Sequence, residues 1–497
     1  MKYISTRGTA SEPVSSAAAI KRGLAPDGGL YMPDEIPSIS RDDLRALCAM
    51  SYAQRAATVL SRFLTDYTYE ELLADCTEAY SEQRFPGGPA PLHALGANIR
   101  MLELWHGPTC AFKDMALQIM PKLLSRALKK TDEQRTAFIL VATSGDTGKA
   151  ALEGYRDVDG VRIMVFYPVD GVSSIQKRQM ATQEGRNVSV CAVRGNFDDA
   201  QNGVKKIFSD SEAAELLNHS GYFFSSANSI NWGRLVPQVV YYVSAYCDMV
   251  LSGDIALGDE INICVPTGNF GNIFAAYIAK CAGLPVGQLI CASNSNNVLT
   301  DFFDTGIYDR NREFHTTMSP SMDILISSNL ERLLYLAGGS ARTAEYMKKL
   351  SEAGRYAVDD DIKQMLDAQF YGAFCDESAT EFTIRTVFER HHYLCDTHTA
   401  VGLNCALKYL GTSADTRRIL VTSTASPYKF APSVYKALTG QTPDGEFETI
   451  EALSRLTGTD IPRPLATLMD KEIRFSKVID PENMVGEVYA DIKKSKT

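Results

Sequence analysis

The sequence lacks the features that mark membrane, secreted and zinc-binding proteins. No uninterrupted apolar run approaches the roughly 20 residues of a membrane-spanning helix. Its 11 cysteines include no Cys-x-x-Cys pair, which argues against a disulfide framework and against a metal site. Residues 1–16, "MKYISTRGTASEPVSS", lack the apolar core of a signal peptide. We therefore expect a cytoplasmic protein with reduced thiols, no membrane contact and no bound metal.

Positive charge is also in deficit. The 497 residues carry 50 lysines and arginines against 60 aspartates and glutamates, a formal net charge of −10. A negatively charged protein repels phosphate backbones, so nucleic acid and anionic membranes are not expected as main partners. A local basic pocket for a small anion is compatible with this balance. The length exceeds what one hydrophobic core supports, and two or three domains are expected.

Helical spacing of apolar residues dominates residues 1–88, which we predict to be a separate helical domain. This part contains a turn segment dense in glycine and proline, "GLAPDGGLYMPDEIP" at 23–37. Beyond it, short apolar strands alternate with helices, the pattern of βαβ units with parallel strands. We predict two α/β lobes, 89–225 and 226–497, divided near a long helical stretch at 231–250. Their predicted strands lie at 99–105, 136–143, 162–168, 187–193, 261–266 and 418–424.

Glycines and hydroxyl side chains follow one predicted strand in the segment "TSGDTGKA", residues 143–150. Gly145 and Gly148 permit tight turns, and the next helix offers free N–H groups at its positive end. Such a loop can hold a carboxylate or a phosphate, although a plain turn between strand and helix has the same composition. It is not a nucleotide P-loop, because Thr143 replaces a required glycine and Ala150 replaces the magnesium-binding hydroxyl.

Two further strand ends carry similar signals. In "PTGNFGN", residues 266–272, successive backbone N–H groups around Gly268 and Gly271 would form a phosphate cradle. In "VTSTASPYKF", residues 421–430, small hydroxyl residues end a buried strand. Ligands bind beyond the carboxyl ends of parallel strands, so three such loops predict one shared site. Taken singly, each loop also fits an ordinary turn or helix cap.

A single lysine in "HGPTCAFKD", residues 106–114, stands between a predicted strand and a helix. The chain reverses at Gly107 and Pro108, and Phe112 precedes Lys113. Removing a lysine from water lowers its pKa and makes it a nucleophile toward carbonyls. Such an amine beside a phosphate loop suits a phosphorylated aldehyde such as pyridoxal phosphate. The alternative is an ordinary solvated lysine.

Four segments, "GLAPDGGLYMP", "HGPTCAFKD", "ATSGDTGKAA" and "PTGNFGN", together resemble the threonine synthases, a family of fold-type II pyridoxal-phosphate enzymes. The likeness covers nearly the whole chain, including the N-terminal segment that related dehydratases lack. It implies an α/β fold of the tryptophan synthase β type, with two open twisted α/β lobes and a helical N-terminal domain. It also implies pyridoxal 5'-phosphate as the cofactor.

The resemblance assigns roles residue by residue. Lys113 would form a Schiff base with pyridoxal phosphate, Thr424 would face its ring nitrogen, and Asp146 would approach its ring. The cofactor phosphate would be bound by Gly268, Asn269, Phe270, Gly271 and Asn272. The substrate would be bound at its amino acid carboxylate by Thr143, Ser144 and Thr147. For the substrate phosphate we predict Arg234, whose planar fork matches phosphate oxygens, with Asn231 and with Lys429 or Lys177.

The implied reaction converts O-phospho-L-homoserine and water into L-threonine and phosphate, in threonine biosynthesis from aspartate. The enzyme would be a carbon–oxygen lyase acting on phosphate, a monomer or homodimer with no nucleic acid or membrane partner. Alternatives within the fold are a phospho-lyase of the same family and another lyase, dehydratase or sulfhydrylase. Alternatives of a different class are an ATPase that uses "SGDTGKA" and a non-catalytic binding protein, which the intact Lys113 argues against.

Three positions near these motifs need an interpretation of their own. The family motif Thr-Ala-His-Pro-Ala-Lys-Phe reads here "TASPYKF", so that Ser426 replaces a histidine. Cys110 is interpreted as a packing residue and not as a nucleophile, because buried thiols are mostly inert. His398 in "DTHTA" is likewise interpreted as a packing residue and not as a catalytic base.

Overall fold

The computed structural model describes residues 1–8, 12–442 and 444–494, and its elements follow one another in three groups. The first group comprises β1 (Tyr3–Ser5), α1 (Ser16–Arg22), β2 (Tyr31–Pro33), α2 (Arg41–Cys48), α3 (Tyr52–Phe63) and α4 (Tyr69–Ala79). The second comprises β3 (Leu92–Leu95), β4 (Ile99–Glu103), α5 (Lys113–Leu117), α6 (Met120–Lys130), β5 (Thr136–Ala142), α7 (Asp146–Tyr155), β6 (Val161–Pro168), α8 (Ser174–Ala181), β7 (Val188–Val193), α9 (Phe197–Ser209), α10 (Ser211–His219), β8 (Tyr222–Ser225) and α11 (Trp232–Leu251). The third comprises β9 (Ile261–Pro266), α12 (Gly271–Cys281), β10 (Val286–Ser293), α13 (Val298–Thr305), β11 (Ile307–Asp309), α14 (Leu330–Ala353), β12 (Arg355–Ala357), α15 (Asp360–Gln369), β13 (Phe370–Phe374), α16 (Glu377–His391), α17 (Thr397–Thr412), β14 (Ile419–Ser423), α18 (Ala431–Thr439), α19 (Glu446–Thr457), α20 (Arg463–Ala466), β15 (Val478–Ile479) and α21 (Met484–Lys494).

The helices of the first group begin at residues that the sequence marks clearly. Ser40, Ser51 and Thr68 cap α2, α3 and α4, and in each case the side chain three residues later bonds back to the cap amide. This reciprocal arrangement satisfies N–H groups that a helix leaves free at its start. The helical character predicted for residues 1–88 is confirmed, with a small antiparallel pair formed by β1 and β2.

Apart from β11 and β12, which form a separate antiparallel pair, the remaining strands form two large sheets. The first has the order β15-β7-β6-β5-β8, with all its neighbours parallel. The second has the order β13-β10-β9-β14-β4-β3 and is parallel except for its edge strand β3. Every residue of β9 and of β14 is buried, which explains their apolar sequences, because helices cover both faces of a parallel sheet. The predicted parallel α/β fold is therefore confirmed.

Strand pairing divides the chain differently from the predicted boundaries of the two lobes. The strands β3 and β4 lie in the predicted first lobe, but β4 pairs with β14 in the second sheet and β3 pairs with β4 at the edge of that sheet. The short strand β15 lies in the predicted second lobe, but it pairs with β7 in the first sheet. Pairing between segments so distant in sequence leaves no local signal in either segment. Each sheet thus contains a segment from the other predicted lobe, across the predicted boundary between residues 225 and 226.

The helix α11 connects the three parts of the molecule. Almost all of its 20 residues are buried, and it packs against α2 and α3 on one side and against α5 and α12 on another. Both α5 and α12 begin at loops that the sequence marks as candidate functional segments. Packing against one buried helix therefore fixes the relative positions of these two loops.

No helix in the part of the chain that the structure describes is both long enough and apolar enough to span a membrane. The same residues contain no group of three or more His, Cys, Asp or Glu side chains arranged to bind a metal ion.

A buried arginine on α3 attaches the N-terminal helices to α11. The Arg55 guanidinium donates to the Leu47 carbonyl at 2.9 Å and to Ser244 Oγ at 2.9 Å, and it pairs with Asp248 at 2.6 Å. Arg55→Met should lower the free energy of unfolding by about 2 kcal/mol, because it removes the hydrogen bonds of a buried charged donor to Ser244 and Asp248. Chemical denaturation followed by circular dichroism measures this change.

The matched control is Arg45→Met on the neighbouring helix α2. Arg45 pairs only with Asp42, and the two side chains are 64% and 86% exposed. An exposed pair of this kind contributes little, so the change should stay within about 0.5 kcal/mol. Equal effects of the two substitutions would contradict the attachment role of Arg55.

Candidate active site

Three loops meet at one edge of the second sheet because their strands are neighbours there. The strands β9, β14 and β4 are adjacent and parallel, so the loops after residues 266, 423 and 103 leave the sheet side by side. Backbone bonds join the loops after residues 103 and 423 directly: Phe112 N–H donates to the Thr424 carbonyl at 2.8 Å, and Ser426 N–H donates to the Cys110 carbonyl at 3.0 Å. Lys113, the first residue of α5, is thereby held next to the end of β14.

The turn before Lys113 is fixed by a buried carboxylate. Thr109 donates to Asp114 through its backbone N–H at 2.8 Å and through its hydroxyl at 2.7 Å. Gly107 is required here, because a Cβ atom at this position would lie 2.5 Å from a carboxylate oxygen of Asp114. Burial raises the pKa of Asp114 to about 6. Burial also raises the pKa of the Cys110 thiol to about 12, which agrees with a packing role.

The amine of Lys113 lies in a desolvated position between charged groups. Its Nζ is 3.8 Å from Asp146 Oδ2 and 4.8 Å from the centre of the Phe112 ring, and the side chain is 10% exposed. Burial lowers the pKa of Lys113 to about 8, against the attraction of Asp146 and with help from the charges of Arg234 and Lys429. A large fraction of this amine is therefore neutral near pH 8, as a nucleophile or a base requires.

Asp146 is the first residue of α7 and is buried under two lysines. Lys429 Nζ lies 2.6 Å from Asp146 Oδ1, and the Gln176 amide donates to the same oxygen at 2.9 Å. Burial alone would raise the pKa of Asp146, but Lys429 and Lys113 hold it well below its usual range. Gly145 has a φ of 139°, and a Cβ atom there would collide with Gln176, so glycine is needed for this close approach.

Three hydroxyl residues at the start of α7 were predicted to bind the substrate, and the structure places them differently. The Thr143 hydroxyl accepts the N–H groups of Gly145 at 3.0 Å and Gly148 at 2.9 Å, so it shapes the loop. Ser144 and Thr147 are part-exposed at the helix start. Ser144 and Thr147 therefore suit contact with a ligand better than Thr143 does.

The loop 266–272 leads into an N-terminus of α12 that no side chain caps. Phe270, just before the helix, has a left-handed φ of 65°. A Cβ atom at Gly268 would lie 2.9 Å from the Ser321 carbonyl, and Ser327 Oγ donates to the Gly268 carbonyl at 2.8 Å. The loop is thus held rigidly while the positive end of an 11-residue helix stays open, which is a favourable arrangement for a phosphate.

Asn272 in the first turn of α12 carries an unused donor. Its Oδ1 accepts the hydroxyls of Tyr241 at 2.6 Å and Tyr242 at 2.5 Å. Among the residues that the structure describes, its Nδ2 is buried and has no acceptor. Buried polar groups are nearly always satisfied, so this donor is available to a bound ligand. The tyrosine pair was not identified from the sequence, where only the two adjacent tyrosines in a long apolar helix could have drawn attention to it.

The structure of the segment after β14 shows what Ser426, which replaces a histidine of the family motif, does there. Ser426 is buried, and its Oγ accepts the Tyr428 N–H at 3.4 Å at the start of a 3-10 helix over Pro427–Phe430. Thr424 is buried at the strand end, and its N–H donates to Thr399 Oγ1 at 3.2 Å. Ser426 therefore acts as a helix cap beside the predicted position of the cofactor ring.

His398 is satisfied at both ring nitrogens. Its Nδ1 lies 2.7 Å from Asp396 Oδ2, and its Nε2 lies 3.1 Å from the backbone nitrogen of Ser321. A backbone N–H only donates, so Nε2 is the acceptor and the proton is on Nδ1. This supports the packing role expected for His398, with the addition that it holds the turn at Ser321 against Gly268.

Three of the residues predicted to bind a substrate phosphate have different surroundings. Asn231 caps α11 through the Gly233 N–H, and its amide donates to the Ile20 carbonyl at 2.9 Å, so its side chain is already in use. Lys429 is fully buried against Asp146, which corrects its predicted contact with substrate. Arg234 is buried and donates to the Ala227 carbonyl at 2.9 Å, and burial lowers its pKa to about 10. No carboxylate in the described part of the chain pairs with Arg234, so it is the candidate that the structure leaves open.

Comparisons with known proteins agree with this geometry. Family models described as threonine synthase N terminus, pyridoxal-phosphate dependent enzyme, and threonine synthase C-terminal match residues 2–80, 85–425 and 399–488. Human threonine synthase-like 1 is 40% identical over 84% of this chain, and the match spans 57% of the length of that relative. The threonine synthase of Pseudomonas aeruginosa is 38% identical, with 89% of this chain and 92% of that protein covered.

A solved structure is similar over the whole length. The crystal structure of threonine synthase from Brucella melitensis with bound pyridoxal phosphate has a TM-score of 0.87 and 37% identity, covering 99% of each chain. A full-length match at this identity agrees with the three family models in sequence order. The chain belongs to the threonine synthase family of pyridoxal-phosphate-dependent enzymes.

Proposed function

We propose that this chain is a pyridoxal-phosphate-dependent threonine synthase, which converts O-phospho-L-homoserine and water into L-threonine and phosphate. The observation that carries the proposal is a desolvated lysine amine, Lys113, at the same sheet edge as an uncapped helix with a buried unsatisfied donor, Asn272. The full-length likeness to threonine synthases supports the choice of reaction. A cytoplasmic enzyme, monomeric or homodimeric, that acts on a small molecule is part of the same proposal.

The residues present fit the cofactor at both of its ends. Lys113 would bind the aldehyde, and the N-terminus of α12 with Gly268–Asn272 would hold the phosphate. Thr424 would face the ring nitrogen with a hydroxyl, which leaves that nitrogen less firmly protonated than a carboxylate would. Pyridoxal phosphate, when bound, supplies an electron-withdrawing ring that stabilises negative charge on the attached amino acid.

The side chains of this chain would bind the substrate and move its protons. The start of α7, with Ser144 and Thr147, would hold the amino acid carboxylate, since a helix N-terminus favours anions. Lys113 would take the proton from Cα and return it at the end of the reaction. Cβ loses a proton as phosphate leaves Cγ, and Cγ gains a proton to become the methyl group. Water then supplies a hydroxyl to Cβ and a proton to the released phosphate.

Arg234 would bind the phosphate of the substrate. A buried cation without a carboxylate partner is costly, and a phosphate would satisfy it through two parallel hydrogen bonds. Its charge acts on Lys113, which supports a position close to the reacting amine. Two of its predicted partners, Asn231 and Lys429, are used elsewhere in the fold.

The second candidate is a phospho-lyase that releases phosphate from the same substrate without forming threonine. Two observations favour keeping it: Ser426 replaces the histidine of the family motif, and relatives named threonine synthase-like 1 are 40% identical to this chain. These relatives are longer, so this chain covers only 57% of the human protein. Both candidate reactions use the same lysine and the same anion sites.

Product analysis separates the two candidates. Purified protein supplied with pyridoxal phosphate and O-phospho-L-homoserine should release phosphate and L-threonine in equal amounts. Phosphate and threonine are measured by a colorimetric assay and by chromatography of the same samples. Phosphate with 2-oxobutyrate and no threonine would establish the phospho-lyase, and no phosphate release would overturn both candidates.

Replacement of the proposed reactive amine gives the second test. Lys113→Ala should abolish the yellow colour that a lysine-bound cofactor gives, and should lower kcat at least about 1000-fold, because proton transfer loses its base. Borohydride reduction followed by peptide mass spectrometry should label Lys113 in the wild type. The exposed Lys408, which bonds the Phe374 carbonyl, serves as control, and Lys408→Ala should keep colour and activity. Label on another lysine would contradict the assignment.

Replacement of Arg234 tests the substrate phosphate site. Arg234→Met should raise KM for O-phospho-L-homoserine about 10- to 100-fold, the loss of a hydrogen-bonded charge pair worth about 1.5–3 kcal/mol. Inhibition by inorganic phosphate should weaken in parallel. Arg186→Met is the control, since that side chain is 96% exposed and its loss should leave KM unchanged. An unchanged KM in folded Arg234→Met protein would place the phosphate elsewhere.

A further inference from the structure

One carboxylate and two lysine amines lie together at the start of α7. Asp146 Oδ1 is 2.6 Å from Lys429 Nζ, and Asp146 Oδ2 is 3.8 Å from Lys113 Nζ. The two contacts are unequal, because the first is a short charge-assisted hydrogen bond and the second is beyond hydrogen-bond distance. The Asp146 carboxylate therefore forms a hydrogen-bonded ion pair with Lys429 and not with Lys113.

Lys429 has no freedom to leave this position. Its side chain is 0% exposed, and its Nζ also donates to the Thr109 carbonyl at 3.0 Å. The backbone around it is fixed by Ser426, whose Oγ caps the 3-10 helix and whose N–H bonds the Cys110 carbonyl. Lys429 thus joins the loop before Lys113 to the start of α7, although the three segments lie far apart in the sequence.

Because the Asp146 carboxylate is bonded to Lys429, it stabilises the protonated form of Lys113 less than a direct bond would. A buried lysine keeps its proton when a carboxylate bonds it directly, and it loses the proton readily when burial and a second cation oppose it. The charged groups that act on Lys113 are Asp146 from α7, Lys429 from the 3-10 helix, Arg234 from α11 and Asp114 from α5. Without Lys429, Asp146 could pair directly with Lys113, and the positive charge of Lys429 would no longer repel the Lys113 ammonium. Both changes would raise the pKa of Lys113.

We propose that Lys429 is a positioning residue that occupies Asp146 as a permanent counter-ion, and so leaves the amine of Lys113 free to be neutral and reactive. The proposal rests on Lys113 as the reactive amine of the proposed function, but it does not depend on which substrate that amine serves. It also gives Lys429 a role in place of the predicted contact with a substrate phosphate.

The test is the titration of Lys113 in the full-length chain freed of cofactor, with circular dichroism to show that each variant is folded. Reductive methylation by formaldehyde and cyanoborohydride modifies neutral amines, and mass spectrometry of the Lys113 peptide gives the rate at each pH. The midpoint of the Lys113 titration should lie at about pH 8 in the wild type. In Lys429→Met it should rise by at least about one pH unit, because Asp146 then pairs with Lys113. Lys429→Arg keeps the charge and should return the midpoint toward the wild-type value.

Two further variants keep the test decisive. Lys436→Met is the control, since Lys436 pairs with Glu381 at 2.9 Å on the half-exposed face of α18, and its loss should not move the midpoint. Asp146→Asn should move the Lys113 midpoint downward, opposite to Lys429→Met, and it serves alone if Lys429→Met does not fold. A midpoint unchanged in Lys429→Met, or raised in Asp146→Asn, would overturn the proposal. Because the readout is an amine titration, it stands even if product analysis rejects threonine synthesis.

Discussion

The position of Lys113 depends on a short backbone clamp between the ends of two neighbouring strands. The loop after β4 is bonded to the segment after β14 by Phe112 N–H to Thr424 and by Ser426 N–H to Cys110. These bonds are backbone bonds, so they hold whatever side chains the loop carries. They set the reactive amine directly beside the strand end that is expected to face the cofactor ring, and beside Lys429, which holds Asp146. The clamp fixes where Lys113 lies, and burial together with the charges of Asp146, Arg234 and Lys429 then sets the pKa of its amine.

Two polar groups at the site lack the partners that buried polar groups usually have. The helix α12 begins without a side-chain cap, beside the buried Asn272 amide, which has no acceptor among the described residues. Arg234 is likewise a buried cation with no carboxylate partner in the described part of the chain. Each of these groups lowers the stability of the ligand-free protein, and an anion that bonds to the group offsets that cost. The two unsatisfied sites therefore match the two phosphates that the proposed reaction brings together.

Local sequence patterns predicted much of this structure because they act over a few residues. The apolar runs of β9 and β14, the glycines at 145 and 268, and the chain reversal at Gly107 are all read from neighbours in the chain. Contacts across the fold were not predictable in this way. The pairing of β15 with β7, the bond of the Asn231 amide to the Ile20 carbonyl and the bond between Lys429 and Asp146 each join segments that are distant in the sequence. Lys429 was predicted to be a phosphate ligand because the sequence does not show that it pairs with Asp146.

Ser426 shows how a departure from the family motif can leave the site intact. The position has two tasks in this structure, a backbone bond to Cys110 and a cap for the 3-10 helix that carries Lys429. A serine performs both tasks, since hydroxyl groups are good helix caps, and neither task needs an imidazole. The imidazole of His398 is bonded at both ring nitrogens, to Asp396 and to the Ser321 N–H, so it has no free nitrogen for a ligand. The serine at position 426 therefore leaves Lys113 in place as the proposed acid–base group.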